Sequence, residues 1–336
     1  MTGPARLGLV GLGEMGLHHL RNLGEMESVD LIAVVEPNPA ARRRATVRGV
    51  AAVGSLGQLV DLKPDAAVVA VPTAQHAAVA VPLLEAGIAC LVEKPLAGTV
   101  ADAEAIVAAA GSGRSLLAVG HIERHNPAVA FLAGLIARGE VGEVLGLSVY
   151  RTGPMPARIR DVGVVFDLAS HDLDIVCWLL GQQPAAMQAH VFGWTANPRR
   201  EAAVHIVARF GSGVLATVDA SWLHPAKSRR LHCLGTEGLV TVDYLQQEVR
   251  LTRNNHELGD WGPLVGLGAS LGEQIRYSVQ RREPLRAELE SFVAAVRGDD
   301  ASVVPGAAGL AVVRLLAELT DQIAAQGGPG GSSSPP

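Results

Sequence analysis

Residues 7–36 constrain the fold of this chain more than any other stretch. An apolar run of Leu7, Leu9 and Val10 meets Gly11, Gly13 and Gly16, and an amphipathic segment then leads to a second apolar run, Leu31 to Val35, that ends at Glu36. In order this is strand, glycine turn, helix, strand. Glycines at this spacing have separate tasks when a pyrophosphate is to be bound. Gly11 makes the tight turn, Gly13 lets phosphates approach bare backbone, and Gly16 lets the helix pack close to the strand. The helix N-terminus adds free N–H groups and a partial positive charge. Glu36 follows Gly16 by 20 residues, where a carboxylate at the end of the second strand accepts both hydroxyl protons of an adenosine ribose. The stretch predicts a dinucleotide site at Gly11, Leu12, Gly13, Glu14, Met15, Gly16 and Glu36. The alternative is an α/β domain whose glycines serve packing alone.

The pattern continues past Glu36. Residues 29–35 and 66–72 are continuous Val/Ile/Ala runs, as strands buried on both faces should be. Helical segments are expected at 38–48, 55–61, 76–87 (with Gly87 closing the last) and 99–110, and strands at 88–92 and 115–119. Strand and helix alternating at this spacing predict a doubly wound parallel sheet, an α/β Rossmann domain over residues 1–120. Beyond Gly120 the character changes. Two helical stretches, 127–138 and 163–180, stand among β-like runs at 144–151, 185–194, 202–210, 213–222, 229–235, 238–244 and 247–252. Short turns such as Gly211-Ser212-Gly213 and Gly235-Thr236-Glu237-Gly238 join antiparallel neighbours. Residues 121–326 therefore read as an α+β domain on an open, mostly antiparallel sheet, closed by helices near 285–297 and 307–325. The Gly/Ser/Pro tail 327–336 has nothing to bury and is expected to be disordered.

Composition narrows the function classes. Lys plus Arg (28) nearly balance Asp plus Glu (33), and no basic stripe suggests nucleic acid as a partner. No apolar run approaches ~18 residues, so no membrane span is expected, and no signal peptide precedes the first strand. Cys90, Cys177 and Cys233 are isolated in apolar settings, which fits reduced, buried thiols and a cytoplasmic protein. Arg42, Arg43 and Arg44 read as a solvated helix face.

In an open parallel sheet, ligands lie beyond the carboxyl ends of the strands. Two stretches carry polar residues there: Val71-Pro72-Thr73 with His76, and Glu93-Lys94-Pro95. A lysine at the mouth of a buried strand, followed by a proline, is poorly explained by solubility alone, and the 94–95 peptide is a cis candidate. A second constellation is Asp167 and His171, four residues apart in an apolar helical stretch, where the carboxylate would hold the imidazole for acid/base work. The alternative is a hydrogen-bonded core pair or a helix cap. His18 and His19 are expected at the solvent edge of the first helix. His121 and His125 lack the glutamate position of a zinc-protease motif, so no metal is expected.

In this order, Gly11-Leu-Gly-Glu-Met-Gly16, Val71-Pro-Thr with His76, Glu93-Lys-Pro95 and Asp167-xxx-His171-Asp172 resemble the glucose-fructose oxidoreductase / inositol dehydrogenase / MocA (Gfo/Idh/MocA) family over residues 6 to about 325. The resemblance implies an NAD(H)- or NADP(H)-binding N-terminal domain and a C-terminal domain that carries substrate and the oligomer interface. It implies that Lys94 and His171 touch the reacting hydroxyl with Asp167 beside them, and that Val71, Pro72, Thr73, His76, Glu93 and Lys94 border the cofactor. The segments 119–127, 161–172 and 221–230 look like members that oxidise the 3-hydroxyl of UDP-N-acetylglucosamine or related nucleotide sugars. There His121, Glu123, Arg124, Asn126, Arg158 and Arg160 would face substrate; the arginines would meet its pyrophosphate or, alternatively, pair with Asp161, Glu123 or solvent. Two positions depart from the pattern: His125 stands where those members usually have Phe, and Ser170 where a bulkier apolar residue is usual. Both are expected to border the sugar.

The expected function is thus an NAD-dependent dehydrogenase of a secondary hydroxyl on a sugar or nucleotide sugar. A catalytically silent NAD-binding sensor and an NAD-dependent glycosidase on the same fold are the alternatives. Glu36 would oppose a 2'-phosphate, so NAD is expected over NADP. A homo-oligomer is expected, because the strands within 202–222 offer alternating Val, Ile, Leu and Ala with few charges on an open sheet.

Overall fold

The computed structural model describes residues 3–156, 162–196, 200–254 and 272–326. The expected tail 327–336 and the loop residues Arg158, Arg160 and Asp161 lie outside them. The chain divides into two compact units, 1–125 with 283–317 and 126–282 with 318–336.

The first unit alternates strand and helix: β1 (Ala5–Val10), α1 (Glu14–Gly24), β2 (Val29–Val35), α2 (Pro39–Thr46), β3 (Ala52–Val53), α3 (Leu56–Asp61), β4 (Ala66–Val69), α4 (His76–Glu85), β5 (Ala89–Glu93), α5 (Val100–Gly113) and β6 (Leu117–Gly120). The six strands pair parallel in the order β3-β2-β1-β4-β5-β6, so the order reverses between β1 and β4. That reversal opens a crevice at the carboxyl ends of the strands, where such sheets bind ligands.

The lack of polar alternation in these strands has a direct cause, since both faces are covered. Leu7, Leu9, Val68 and Leu91 face one core and Val10, Val69, Cys90 and Val92 the other. The second core is filled by Leu59, Leu83, Leu84 and Ile106 of α3, α4 and α5. The first is filled by Leu20 and Leu23 of α1 and by Leu285, Leu289, Phe292 and Val293 of α8 (Pro284–Arg297). Each of those four α8 side chains contributes roughly 1.5–3 kcal/mol by leaving water, which ties α8 to the sheet formed by the first part of the sequence. The chain then extends the edge of β6, where Val119 N–H donates to the Val304 carbonyl at 2.9 Å, before α9 (Gly306–Ala325) begins.

The second unit holds α6 (Pro127–Ala137), β7 (Val144–Pro154), α7 (Ser170–Leu180), β8 (Pro184–Trp194), β9 (Glu201–Phe210), β10 (Leu215–Ser221), β11 (Leu223–Gly235), β12 (Gly238–Asp243), β13 (Glu248–Arg253) and β14 (Gln274–Tyr277). Its sheet runs β14-β13-β12-β11-β7-β10-β9-β8. The turn-linked neighbours are antiparallel as expected, but β7 inserts between β10 and β11 and pairs parallel with β10. A strand that arrives from a distant part of the chain is free of the hairpin constraint. Side chains alternate cleanly in β9, with Val204, Ile206 and Ala208 buried and His205, Val207 and Arg209 exposed. The Val/Ile/Ala content of 202–222 therefore faces the covered side, and the open face is mixed. At the edge, Gln322 and Gln326 of α9 donate to the carbonyls of Met187 and Ala189 on β8 at 3.0 and 2.9 Å, which blunts an exposed strand.

The three cysteines are free and buried. Burial alone pushes the Cys233 thiol up to about 12 and Cys90 higher still, so neither is a nucleophile near neutrality. Among the described residues no helix is long and apolar enough to cross a membrane, and no group of three or more His, Cys, Asp or Glu is arranged to hold a metal ion.

Candidate active site

The glycine loop between β1 and α1 has the geometry its spacing requires. Gly11 has φ +99°, and a Cβ there would meet the Ala70 carbonyl oxygen at 2.5 Å. A Cβ on Gly16 would lie 2.1 Å from the Gly11 carbonyl oxygen. Gly13, by contrast, has nothing within 4 Å of such a Cβ and is the N-cap of α1 without a side-chain cap. Two glycines are thus demanded by packing, and the third leaves backbone and helix N-terminus open to an anion. Glu36 reaches across to this loop: its Oε2 accepts the Leu12 N–H at 3.0 Å and its Oε1 the Asn38 N–H at 2.9 Å. A carboxylate has about four acceptor directions, so the clamp fixes Glu36 while leaving it able to accept from a ribose.

Beyond β4, Thr73 begins a short 3-10 turn, Thr73–Gln75, with Val71 and Pro72 just before it. His76 is enclosed, at 1% exposure. Its Nδ1 faces the Pro95 and Leu96 carbonyls at 3.1 and 3.2 Å, and its Nε2 the Val71 carbonyl at 3.0 Å. Burial pushes the imidazole down against the pull of those carbonyls, and the ring stands between the loop after β4 and the loop after β5. Glu93 ends β5, and the Lys94–Pro95 peptide is cis. The Glu93 carboxylate is buried and takes a hydrogen bond from His19 Nε2 at 2.7 Å and from the Lys94 N–H at 3.2 Å. Burial would raise this carboxyl, but the His19 hydrogen bond and the nearby charges of His19 and Lys94 overcome it and hold it below its ordinary range.

His19 therefore does not lie at the solvent edge expected for it. The buried positions of α1 are Gly16, His19, Leu20, Asn22 and Leu23, a helical face on which His19 stands beside the apolar Leu20 and Leu23; that spacing is the signal that identifies it. His18, one residue earlier, is exposed. Glu288 of α8 is a second buried acid that the sequence does not single out. Its side-chain oxygens have no hydrogen-bond partner among the described residues, and burial, with repulsion from Glu93, raises its carboxyl well above the ordinary range.

In the second unit, Asp167 lies in a π-helical turn, Val165–Ala169, that runs straight into α7. The expected continuous helix is thus widened where its acid sits: the Ser170 N–H donates back to Val165, five residues earlier, the signature of a π-bulge and a frequent mark of functional sites. Asp167 and His171 are both half-buried, one turn apart. The Glu201 carboxylate accepts from the Val165 backbone at the start of this segment, and burial raises its pKa. Ser170 is fully buried and its hydroxyl donates to the Phe166 carbonyl at 2.8 Å, so this side chain points back along its own helix. His125 is half-buried in a 3-10 turn, Ile122–His125, with Glu123 and Arg124. His121 is buried at 1%. Asn126 is buried as well: its Oδ1 caps α6 by accepting the Ala128 N–H at 3.1 Å, and its Nδ2 donates to the Tyr244 carbonyl at 3.2 Å. The amide expected to face substrate is engaged inside the fold. Behind His171, Asp172 accepts from Arg151 Nε at 2.7 Å, with both side chains buried and the guanidinium 5.4 Å from the Tyr244 ring.

Two family models match the chain: residues 5–121 match the description "Oxidoreductase family, NAD-binding Rossmann fold", and residues 129–241 the "GFO/IDH/MocA C-terminal domain". The chain belongs to the Gfo/Idh/MocA oxidoreductase family. Among its relatives, UDP-N-acetylglucosamine 3-dehydrogenase of Acidithiobacillus ferrooxidans is 27% identical over 96% of this chain and 97% of its own length. A solved structure of that enzyme, GnnA, superposes with a TM-score of 0.83 at 24% identity, covering 95% and 97% of the two chains. Inositol 2-dehydrogenase 2 of Saccharopolyspora erythraea is 32% identical over 63% of this chain and 65% of the relative. GenD2 from gentamicin A biosynthesis, solved in complex with NAD, superposes with a TM-score of 0.79 at 27% identity over 96% and 95% of the two chains. Within the Gfo/Idh/MocA frame the glycine loop fits a dinucleotide: the open side of Gly13, the uncapped start of α1 and the clamped Glu36 are what a pyrophosphate and a ribose require.

Proposed function

We propose that this Gfo/Idh/MocA protein is an NAD-dependent dehydrogenase of a secondary hydroxyl on a nucleotide sugar, in the class of the 3-hydroxyl of UDP-N-acetylglucosamine. The observation that carries the reading is the glycine loop with its clamped carboxylate in the same unit as a lysine at the carboxyl end of β5. Oxidation of such a hydroxyl removes a hydride from carbon and a proton from oxygen, and NAD, when bound, supplies the hydride acceptor. His171 takes the proton as general base, and Asp167 supports it. Lys94 donates to the substrate oxygen and stabilises the negative charge that develops there. Gly11, Leu12, Gly13, Glu14, Met15, Gly16, Glu36, Val71, Pro72, Thr73 and Glu93 form the cofactor side, and His76 keeps its loops together. Arg124, Arg158 and Arg160 are the proposed pyrophosphate contacts.

Glu36 selects the cofactor, because a 2'-phosphate would meet a carboxylate already fixed by two backbone N–H groups. A panel of UDP-N-acetylglucosamine, other UDP-sugars and myo-inositol, followed by reduced-cofactor absorbance with NAD and with NADP, tests both points. UDP-sugar oxidation with NAD favoured by about tenfold or more is expected from like charges at contact. Equal efficiency with NADP would overturn the cofactor assignment. Tight NAD binding with no reduction across the panel would make the protein a sensor, and glycoside hydrolysis with NAD neither consumed nor released would make it a glycosidase.

The proposed setting is the cytoplasm, where three buried free thiols stay reduced. The proposed assembly is a homo-oligomer through the open sheet face, where Leu215 and Leu234 flank Gly146 in one row, with Tyr150 and Val207 in the next ones and all four residues 38–49% exposed. Light scattering at micromolar concentration should give at least a dimer mass; a monomer would end this assignment.

A further inference from the structure

We propose that His19 is a positioning residue for Lys94, acting through Glu93. The inference rests on Lys94 as the group that touches the reacting hydroxyl and names what holds it. Lys94 follows directly on the last residue of β5, so the direction in which it leaves the strand depends on its own backbone. That backbone is anchored by the Glu93 carboxylate, whose Oε2 accepts the Lys94 N–H at 3.2 Å. A single-bonded carboxylate can swing, and two neighbours, His19 and Gly120, restrain it. His19 Nε2 lies 2.7 Å from the other oxygen, Oε1, with its side chain fully buried. Gly120, paired with Glu93 across β5 and β6, leaves the space that Oε2 occupies: a Cβ there would be 3.2 Å from both Oε2 and the Glu93 Cα. Glu288, from α8, is buried near it, and burial together with repulsion from Glu93 raises the Glu288 carboxyl well above the ordinary range. The carboxylate thus takes a side-chain donor, His19, and a backbone donor, Lys94, on opposite oxygens. Three segments far apart in sequence converge on it: α1, the β5 end and α8. This arrangement is more than a buried pair filling space, since a plain packing role would be met by an apolar side chain at position 19, as Leu20 and Leu23 meet it on the same helix face.

The test compares His19→Leu, which removes the donor, with His19→Gln, which keeps an N–H at a similar reach. The first readout needs no substrate: with selective 15N-lysine labelling, the Lys94 amide resonance and its exchange protection are followed in the full-length protein. The second is kcat for UDP-N-acetylglucosamine with NAD. His19→Leu is expected to move the Lys94 amide and lower kcat by about tenfold or more, the scale of one hydrogen bond to a charged group, with NAD affinity unchanged. His19→Gln is expected to restore both. An unmoved Lys94 amide in His19→Leu, or the same change in both variants, overturns the proposal. If His19→Leu fails to fold, Glu93→Gln removes the charge at constant shape and must move the Lys94 amide; an unmoved amide overturns the proposal equally. Failure of the functional reading looks different: Lys94→Ala would then retain turnover, while the amide measurement still decides whether His19 positions Lys94.

Discussion

Replacing Lys94 or His171 by alanine is expected to lower kcat by about 10²–10⁴-fold for each, the range of a positioned acid/base or of a preorganised charge donor. NAD affinity should stay within about twofold, because the glycine loop, the α1 N-terminus and Glu36 that would hold the dinucleotide are untouched by either change. The physical basis is that a secondary alcohol does not surrender its proton to bulk water near neutrality. A base must take the proton as the hydride leaves, and a cation must sit at the oxygen while charge builds on it. Lys94 directly follows a strand whose residues, Ala89 to Glu93, are all buried, so its backbone is anchored by the sheet. His171 begins a helix whose next turn, Asp172 to Cys177, is entirely buried, so its position is held by packing. Asp167→Asn, which keeps shape and loses charge, should show a smaller loss than His171→Ala. The measurement is NADH absorbance under saturating substrate, with NAD affinity by fluorescence titration. Normal turnover in His171→Ala with NAD bound would remove the histidine from the mechanism.

Asp172→Ala is expected to destabilise the second unit by about 3–5 kcal/mol. Arg151 and Asp172 are 4% and 0% exposed in their side chains and lie 2.7 Å apart. Removing the carboxylate takes from a buried guanidinium the charged acceptor of its Nε. Arginine cannot respond by losing its proton, so the penalty falls on folding. The double replacement Arg151→Met with Asp172→Leu removes both charges and should be milder than either single truncation, as for other buried pairs. Urea unfolding followed by far-UV circular dichroism reads the midpoint of each variant. A shift in Asp172→Ala equivalent to less than about 1 kcal/mol, the scale of an exposed pair, would show that the pair does not support α7. This helix carries His171, so the single truncation is expected to reduce activity as well, and the double replacement to recover stability ahead of activity.

Much of the first unit was legible because its signals are short-range. Continuous apolar runs, the glycines at 11, 13 and 16, and caps such as Thr99, whose hydroxyl accepts the Asp102 N–H, act over a few residues and depend little on distant partners. The order strand, helix, strand followed from them, and the Glu36 carboxylate was found against the glycine loop as the 20-residue spacing implied. The family likewise followed from motifs that are each continuous in sequence. The two-residue β3 and the four-residue β14 went unrecognised because so few residues carry no readable period.

What only the tertiary structure decided has a common cause, since it depends on pairs that local conformation does not specify. His19 and Glu93 are 74 residues apart, and a histidine on an amphipathic helix reads as a surface residue until its partner is known. His76, Asn126 and Ser170 were expected near cofactor or sugar, yet their polar atoms are engaged by carbonyls and an N–H group of the fold itself. A buried polar group must find partners, and sequence does not say whether those partners are protein or ligand. The apolar stripe of α8 fits any covered sheet, and its contacts alone assign it to β1 and α1. The parallel pairing of β7 with β10 is of the same kind: hairpin turns dictate antiparallel neighbours, but the place of a strand that arrives by a long connection is set by which edge its inward residues, Leu147 and Val149, can bury. The amino-acid sequence by itself determined the elements, the cofactor loop and the family. The tertiary structure decided which buried polar residues serve the fold and which remain for chemistry, because that choice rests on long-range contacts made only when the elements pack.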